Sequence, residues 1–326
     1  MRIGIIGGGA WGTALAQVAA AGGEDVLLWT FEDDVAAAIT RDHVNPLYLP
    51  GVALSPAVRA TSDLTALSAC EALLVVTPAQ HMRGIIARAA VGARPLILCA
   101  KGLEAGTMAL MSEVAAETCP DAPIAVLSGP TFAAEVASGL PTAVTLACAD
   151  DALAARLAAR LARPAFRPYV SADVTGAEIG GAIKNVLAIA CGVVEGAGLG
   201  KNARAALIAR GFAEMTRFGL ARGARAETLA GLSGLGDLVL TCSSEQSRNF
   251  SLGLGLGRGS AAADLLADRR TVAEGAFTAP VLAEAARKAG VEMPIVDAVA
   301  RLLDGTFAVG EAVETLLARP LRSESA

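Results

Sequence analysis

The chain has 326 residues, enough for two domains with cores of their own, and is 54% hydrophobic with a mean hydropathy of +0.52. Much of that apolarity is alanine, aromatics are only 4%, and beyond the N-terminal tract nothing approaches the 18 uncharged, mainly bulky residues of a membrane span. The net charge of −5 gives no electrostatic reason to expect nucleic acid, and the six cysteines (70, 99, 119, 148, 191, 242) form no CxxC pair. They read as free thiols of a reducing, cytoplasmic compartment, and neither a disulfide framework nor a metal site is supported.

The first tract, Ile3 to Gly23, carries no charge and ends in alanines, which raises the question of a signal peptide or anchor. Its interior answers it. Arg2 to Ile6 is a short β-branched run suited to a buried parallel strand, Gly7-Gly8-Gly9 interrupts it, and "AWGTALAQVAAAGG" reads as a helix closed by Gly22-Gly23. Three adjacent glycines argue against a continuous apolar signal region. The spacing Gly7-x-Gly9-x-x-Gly12 is the pattern of a dinucleotide loop. Its first glycine makes the turn and its second lets a pyrophosphate approach the backbone. The third lets helix and strand pack closely, and the phosphates meet free N–H groups at the helix start.

Further apolar runs follow at 25–29, 72–78, 95–102, 123–130 and 142–148, separated by Ala-rich helical segments such as 31–40, 81–91 and 107–118. This alternation predicts an α/β fold, a Rossmann-type doubly wound and mainly parallel sheet, with ligands at the carboxyl ends of the strands. Thr77-Pro78, Lys101-Gly102 and Ser128-Gly129-Pro130 stand at those ends. Past about residue 175 the strand pattern stops, and segments 178–198, 202–223, 279–289, 295–304 and 309–318 carry helical spacing. The expected organisation is a dinucleotide-binding domain over 1–178 and an all-α substrate domain over 179–326, with substrate in the cleft between them.

Of 27 basic residues only four are lysine: Lys101, Lys184, Lys201 and Lys288. A partly buried lysine can trade protons near neutral pH, whereas arginine cannot. Lys184 lies on an otherwise apolar helix one turn after Gly180-Gly181; it is either a proton-transfer group beside a small-residue platform or a lysine reaching from a buried helix to solvent. "GLSGLGDLVLTC" delivers Asp237, which can cap a helix or bind polar substrate groups. "QSRN" places Ser247, Arg248 and Asn249 in the first turn of a helix, as a phosphate site or as an ordinary cap. His43 and His81 read as surface residues.

Taken in order, "GGGAWGTALA", "NPLYLPG", "AKGLE", "SGPTFAAEVASGLPTA", "GGAIKNVLAIACG", "ARAALIARGFAEM", "GLSGLGDLVLTC", "QSRN" and "VAEG…GVEMPI" span the chain. With them it resembles, essentially end to end, the bacterial-type NAD(P)-dependent glycerol-3-phosphate dehydrogenases. The resemblance implies reversible reduction of dihydroxyacetone phosphate to sn-glycerol 3-phosphate for phospholipid synthesis, by a homodimer. It implies Lys184 as the catalytic proton acceptor and Lys101 as a contact to both cofactor and substrate. Gly129, Thr131, Asp237, Ser247, Arg248 and Asn249 match substrate contacts. Gly7, Gly9, Ala10, Trp11, Gly12, the Phe31 position, Ala133, Arg248, Val272 and Glu274 match cofactor contacts. Where the family often has Arg or His, this chain has Phe31, followed by Glu32-Asp33-Asp34. An acidic group accepts from a free ribose 2′-OH and repels a 2′-phosphate, which leans towards NAD, while Arg248 keeps NADP open. The rival expectations are a related Rossmann dehydrogenase of another hydroxy acid and a non-catalytic NAD(P)-binding sensor.

Overall fold

A computed structural model describes residues 2–267 and 273–319. Its first half alternates strands and helices: β1 (Ile3–Ile6), α1 (Ala10–Ala20), β2 (Val26–Trp29), α2 (Asp33–Asp42), β3 (Val58–Thr61), β4 (Ala72–Val75), α3 (Met82–Arg88), β5 (Leu96–Leu98), α4 (Met111–Thr118), β6 (Ile124–Ser128), α5 (Ala133–Ala137), β7 (Thr142–Cys148), α6 (Asp151–Leu161) and β8 (Phe166–Ser171). The eight strands form one sheet in the order β3-β2-β1-β4-β5-β6-β7-β8. All pairs are parallel except β6 with β7, where Leu127 faces Leu146 in antiparallel register. Central strands are buried on both faces, as their unbroken Ile, Leu and Val runs require. One face packs on α1, with Ala14, Leu15 and Ala19 against Ile3, Ile5 and Leu74; the other packs on α3 and α4 through Leu73, Met82 and Val114.

The sequence reading omitted two strands, β3 and β8, and treated 142–148 without regard to direction. β3 and β8 are the two edges of the sheet. An edge strand has one neighbour and half its surface in water, so "VRAT" and "FRPYVS" lack the apolar run by which the central strands are recognised.

From Val174 onward the described chain is helical: α7 (Val174–Gly196), α8 (Gly200–Ala221), α9 (Ala226–Leu229), a π-helical turn (Leu232–Gly236), α10 (Asp237–Cys242), α11 (Arg248–Gly257), α12 (Ala262–Leu265), α13 (Glu274–Lys288), α14 (Pro294–Leu303) and α15 (Val309–Leu317). The 23-residue α7 is the axis of this half. By length and composition it could cross a membrane, yet its apolar stretch is wholly covered by protein, the position of a helix that is hydrophobic on every side. It crosses α11 backbone to backbone. A Cβ on Gly253 would strike the Ile189 carbonyl and one on Gly192 the Phe250 carbonyl, so glycine on both helices sets the separation. Its N-terminal half meets the sheet, and its remainder lies within the helical core with Phe218, Leu238, Phe250 and Leu282. Groups on α7 therefore look towards both halves.

Candidate active site

The β1–α1 turn lies at the point where the sheet order reverses, between β1 and β4, which is where open α/β sheets bind ligands. Its three spaced glycines differ in what requires them. Gly7 has φ +121°, and a Cβ there would lie 2.7 Å from the Val76 carbonyl oxygen. A Cβ on Gly12 would run into the Gly7 carbonyl. Gly9 has φ −66° and ψ 179°, extended backbone open to any residue, and its Cβ would meet nothing within 4 Å. No protein atom therefore accounts for glycine at position 9. The bare surface it leaves sits at the start of α1, where Ala10 and Trp11 begin the helix without a side-chain cap. Open space beside uncapped N–H groups fits a pyrophosphate.

Two residues past β2, Phe31 is 78% exposed. Glu32 precedes α2 and its Oε1 accepts a 2.6 Å hydrogen bond from the Tyr48 hydroxyl. Burial, together with that carboxylate, pushes the Tyr48 phenol up to about 12, so the phenol stays protonated and keeps donating.

Three candidate residues from distant positions converge in the centre. Lys101 follows β5, Lys184 lies mid-α7 and Asp237 opens α10. Asp237 is fully buried, and its Oδ2 accepts from Lys101 Nζ at 2.6 Å while its Oδ1 accepts from Lys184 Nζ at 2.9 Å. Burial alone would raise the Asp237 pKa, but the two ammonium charges and their hydrogen bonds hold it below the ordinary carboxylate value. Lys184 shows the opposite balance. Burial lowers its pKa to about 8, with the Asp237 charge opposing and the Lys101 charge assisting. An amine of that pKa is present in both forms near neutral pH, the property a proton donor and acceptor needs. The alternative of a lysine reaching to solvent is excluded, since Lys184 is 7% exposed and its ammonium is bonded inside. Asp237 likewise serves the lysines rather than acting as a helix cap.

One member of this centre was missed from sequence. Thr241 Oγ1 accepts from Lys184 Nζ at 2.9 Å and donates to Asp237 Oδ1 at 3.2 Å. The available signal was its spacing, four residues after Asp237 and so on the same face of a helix.

The remaining candidates surround this centre. Gly129 has φ +153°, and a Cβ there would lie 2.9 Å from Val144 Cα. Thr131 Oγ1 donates to the Gly129 carbonyl, and Ala133 is the first residue of α5. Ser247 caps α11, its Oγ accepting from Phe250 N at 3.2 Å, with Arg248 and Asn249 in the first turn. Asn249 is held from two sides: its Nδ2 donates to Asn185 Oδ1 at 3.0 Å, and its Oδ1 accepts from Gly275 N at 2.9 Å. That ties the turn to α7 beside Lys184 and to α13. Glu274 begins α13, and its Oε1 accepts from Ala79 N, four residues past β4. Burial raises the Glu274 pKa, with Arg248, the Ala79 N–H and the two lysines opposing. Val272 lies outside the described residues.

A glycine loop with room for a pyrophosphate at the switch point of the sheet, and a buried aspartate that joins a lysine after β5 to a lysine on the helical second half, define a two-part nicotinamide dehydrogenase. Comparison with known proteins gives the particular one. The description "NAD-dependent glycerol-3-phosphate dehydrogenase N-terminus" matches residues 2–154 and the corresponding "C-terminus" matches residues 173–314. The glycerol-3-phosphate dehydrogenase [NAD(P)+] 1 of Sphingopyxis alaskensis is 64% identical over 99% of this chain and 98% of its own length. The glycerol-3-phosphate dehydrogenase [NAD(P)+] of Erythrobacter litoralis has the same identity and coverage. The crystal structure of glycerol-3-phosphate dehydrogenase from Coxiella burnetii superposes with a TM-score of 0.93 at 40% identity, covering 98% of this chain and 99% of that one. The chain belongs to the NAD(P)-dependent glycerol-3-phosphate dehydrogenase family.

Proposed function

We propose that this protein reversibly reduces dihydroxyacetone phosphate to sn-glycerol 3-phosphate, supplying the phospholipid backbone, with Lys184 as the group that moves the proton. The observation carrying this reading is the Lys101–Asp237–Lys184 centre, next to which the polar first turn of α11 is tied to α7 through Asn249 and Asn185.

When bound, the nicotinamide dinucleotide supplies or takes the hydride. The residues do the rest. In the reducing direction the ketone oxygen gains negative charge, and protonated Lys184 gives it a proton; in the oxidising direction neutral Lys184 takes the hydroxyl proton. Positioned proton transfer of this kind contributes about 10²–10⁴ in rate. Lys101 keeps positive charge beside the developing alkoxide, and such stabilisation is worth roughly 3–4 kcal/mol per donor. Asp237 and Thr241 orient the Lys184 amine. Ser247, Arg248 and Asn249 receive the phosphate through a hydroxyl, a guanidinium and an amide at a helix start. Gly129 and Thr131 complete the substrate side. On the cofactor side Gly7 and Gly12 shape the loop, while Gly9, Ala10 and Trp11 admit the pyrophosphate. The Phe31 position would lie by the adenosine, and Lys101, Ala133, Arg248 and Glu274 would hold the nicotinamide half.

The finer expectations belong to the same proposal. The chain divides near residue 178 into a cofactor part and a substrate part, works in the cytoplasm and forms a homodimer. The Glu32 carboxylate favours NADH over NADPH. The phosphate turn favours this substrate over a carboxylate-only hydroxy acid, and a sensor has no use for two lysines on one buried aspartate. Loss of reduced-nicotinamide absorbance with dihydroxyacetone phosphate, followed separately with NADH and NADPH, tests the reading. Turnover is expected. Cofactor binding without turnover would leave the sensor, and turnover of keto acids alone would leave the other dehydrogenases.

A further inference from the structure

Four buried polar atoms among the described side chains have no hydrogen-bond partner: His43 Nδ1, Thr77 Oγ1, Ser128 Oγ and Ser233 Oγ. A buried hydroxyl left unpaired is held at a cost, and such groups need a reason. Ser128 is packed against the catalytic centre. It ends β6, is 5% exposed, and immediately precedes Gly129. A Cβ added to Gly181 would lie 2.9 Å from Ser128 Oγ and 3.3 Å from Lys101 Cγ. The serine hydroxyl and the lysine stem therefore share the space that Gly181 leaves free, one helical turn before Lys184.

That position has a counterpart on the other side of Lys184. The α11 turn reaches α7 through the bond from Asn249 Nδ2 to Asn185 Oδ1, whereas Ser128 lies over Gly181. Four residues of helix separate the two anchor points, about 6 Å. Lys184 stands between them. A three-carbon substrate with its phosphate at the α11 turn and its ketone at Lys184 directs its remaining end towards Ser128. In dihydroxyacetone phosphate that end is a hydroxymethyl group, which both donates and accepts. Rotation about the serine Cα–Cβ bond swings Oγ between staggered positions without moving the strand.

We propose that Ser128 is a specificity-determining residue whose unpaired hydroxyl reads the free hydroxymethyl group of the substrate. This rests on the reading of the substrate given above. A polar group built to bond a substrate hydroxyl rejects the analogue lacking it far more strongly than an apolar pocket rejects a missing methylene. Because Ser128 Oγ has no partner within the protein, Ser128→Ala removes no internal hydrogen bond and does not lower the thermal midpoint.

The test compares dihydroxyacetone phosphate with acetol phosphate, the same ketone and phosphate bearing a methyl in place of the hydroxymethyl. Wild type is expected to prefer the former by about 100-fold in kcat/KM, and Ser128→Ala to prefer it by less than about fivefold, the change falling mainly on KM. Nicotinamide fluorescence titration gives the cofactor Kd directly, and it is expected to be the same for both proteins. The proposal is overturned if the variant keeps the wild-type discrimination, if wild type does not discriminate, or if the variant loses cofactor affinity. Failure of wild type to turn over dihydroxyacetone phosphate at all removes the underlying substrate assignment instead, and is seen before any variant is made.

Discussion

The dinucleotide loop and the lysine centre are built by opposite means. Between Ile6 and Gly12 the chain presents bare backbone, and everything that matters lies within a few consecutive residues. In the lysine centre it presents three charged side chains, from the loop after β5, from α7 and from α10, joined across 136 and 53 residues of sequence. The loop gains its property by omission, since a missing side chain leaves N–H groups and open space. The centre gains its property by burial, which lowers Lys184 towards 8 while Asp237 keeps both ammonium groups paired. Damage to a loop of backbone should therefore act on binding. Damage to a buried charge cluster should act on chemistry and stability together.

The largest expected effect comes from the centre. Lys184→Ala should lower kcat by about 10³, with cofactor Kd within a few-fold of wild type, measured by steady-state kinetics beside fluorescence titration. The pH profile of wild type sharpens the point. Reduction consumes the protonated amine, so its rate should fall as pH rises through about 8, and oxidation should rise through the same value. A reduction profile flat from pH 6 to 9 would separate Lys184 from the proton transfer.

Next, Asp237→Asn should cost about 10² in kcat and about 3–5 kcal/mol in stability by denaturant unfolding, because the buried Lys184 ammonium and the part-buried Lys101 lose their shared counter-charge. It should also shift the fall in reduction rate to lower pH, since the carboxylate is what raises Lys184 against burial.

Two glycine variants test the loop against itself. Gly9→Ala fits the backbone and should stabilise the free protein by about 0.4–1 kcal/mol while weakening cofactor binding about tenfold or more. Gly12→Ala meets the Gly7 carbonyl and should instead lower the thermal midpoint. If Gly9→Ala bound cofactor as wild type does, the open space would have another purpose.

The smallest effect concerns the cofactor. NADH should be used at least as well as NADPH in kcat/KM, and Glu32→Ala should reduce that ratio by about fivefold, equivalent to about 1 kcal/mol for one charge at a partly exposed site. A strong NADPH preference in wild type would place ribose recognition elsewhere.

Legibility followed the same division. The six central strands, the glycine loop and the helical second half could be read from sequence because each is a local pattern: a β-branched run, a glycine spacing, a helical repeat. The edge strands β3 and β8 were missed because one-sided burial leaves room for Arg59, Arg167 and Pro168. The antiparallel direction of β7 was not legible, because direction leaves no mark on composition. Lys184 and Lys101 stood out through the rarity of lysine. Their common partner was named only as a candidate for substrate or for a cap, Ser128 only by its place at a strand end, and Thr241 was not marked at all.

The sequence by itself determined the class of fold, the glycine loop and, through its motifs, the family. Those properties depend on backbone freedom and periodic burial, which neighbouring residues settle among themselves. Only the tertiary structure decided that Asp237 holds both lysines, that Thr241 completes the set, and that Gly9 is free of any internal constraint. Pairing, burial and the resulting proton affinity depend on groups brought together across the fold. Their energies arise from the exclusion of water at a point that no stretch of sequence contains.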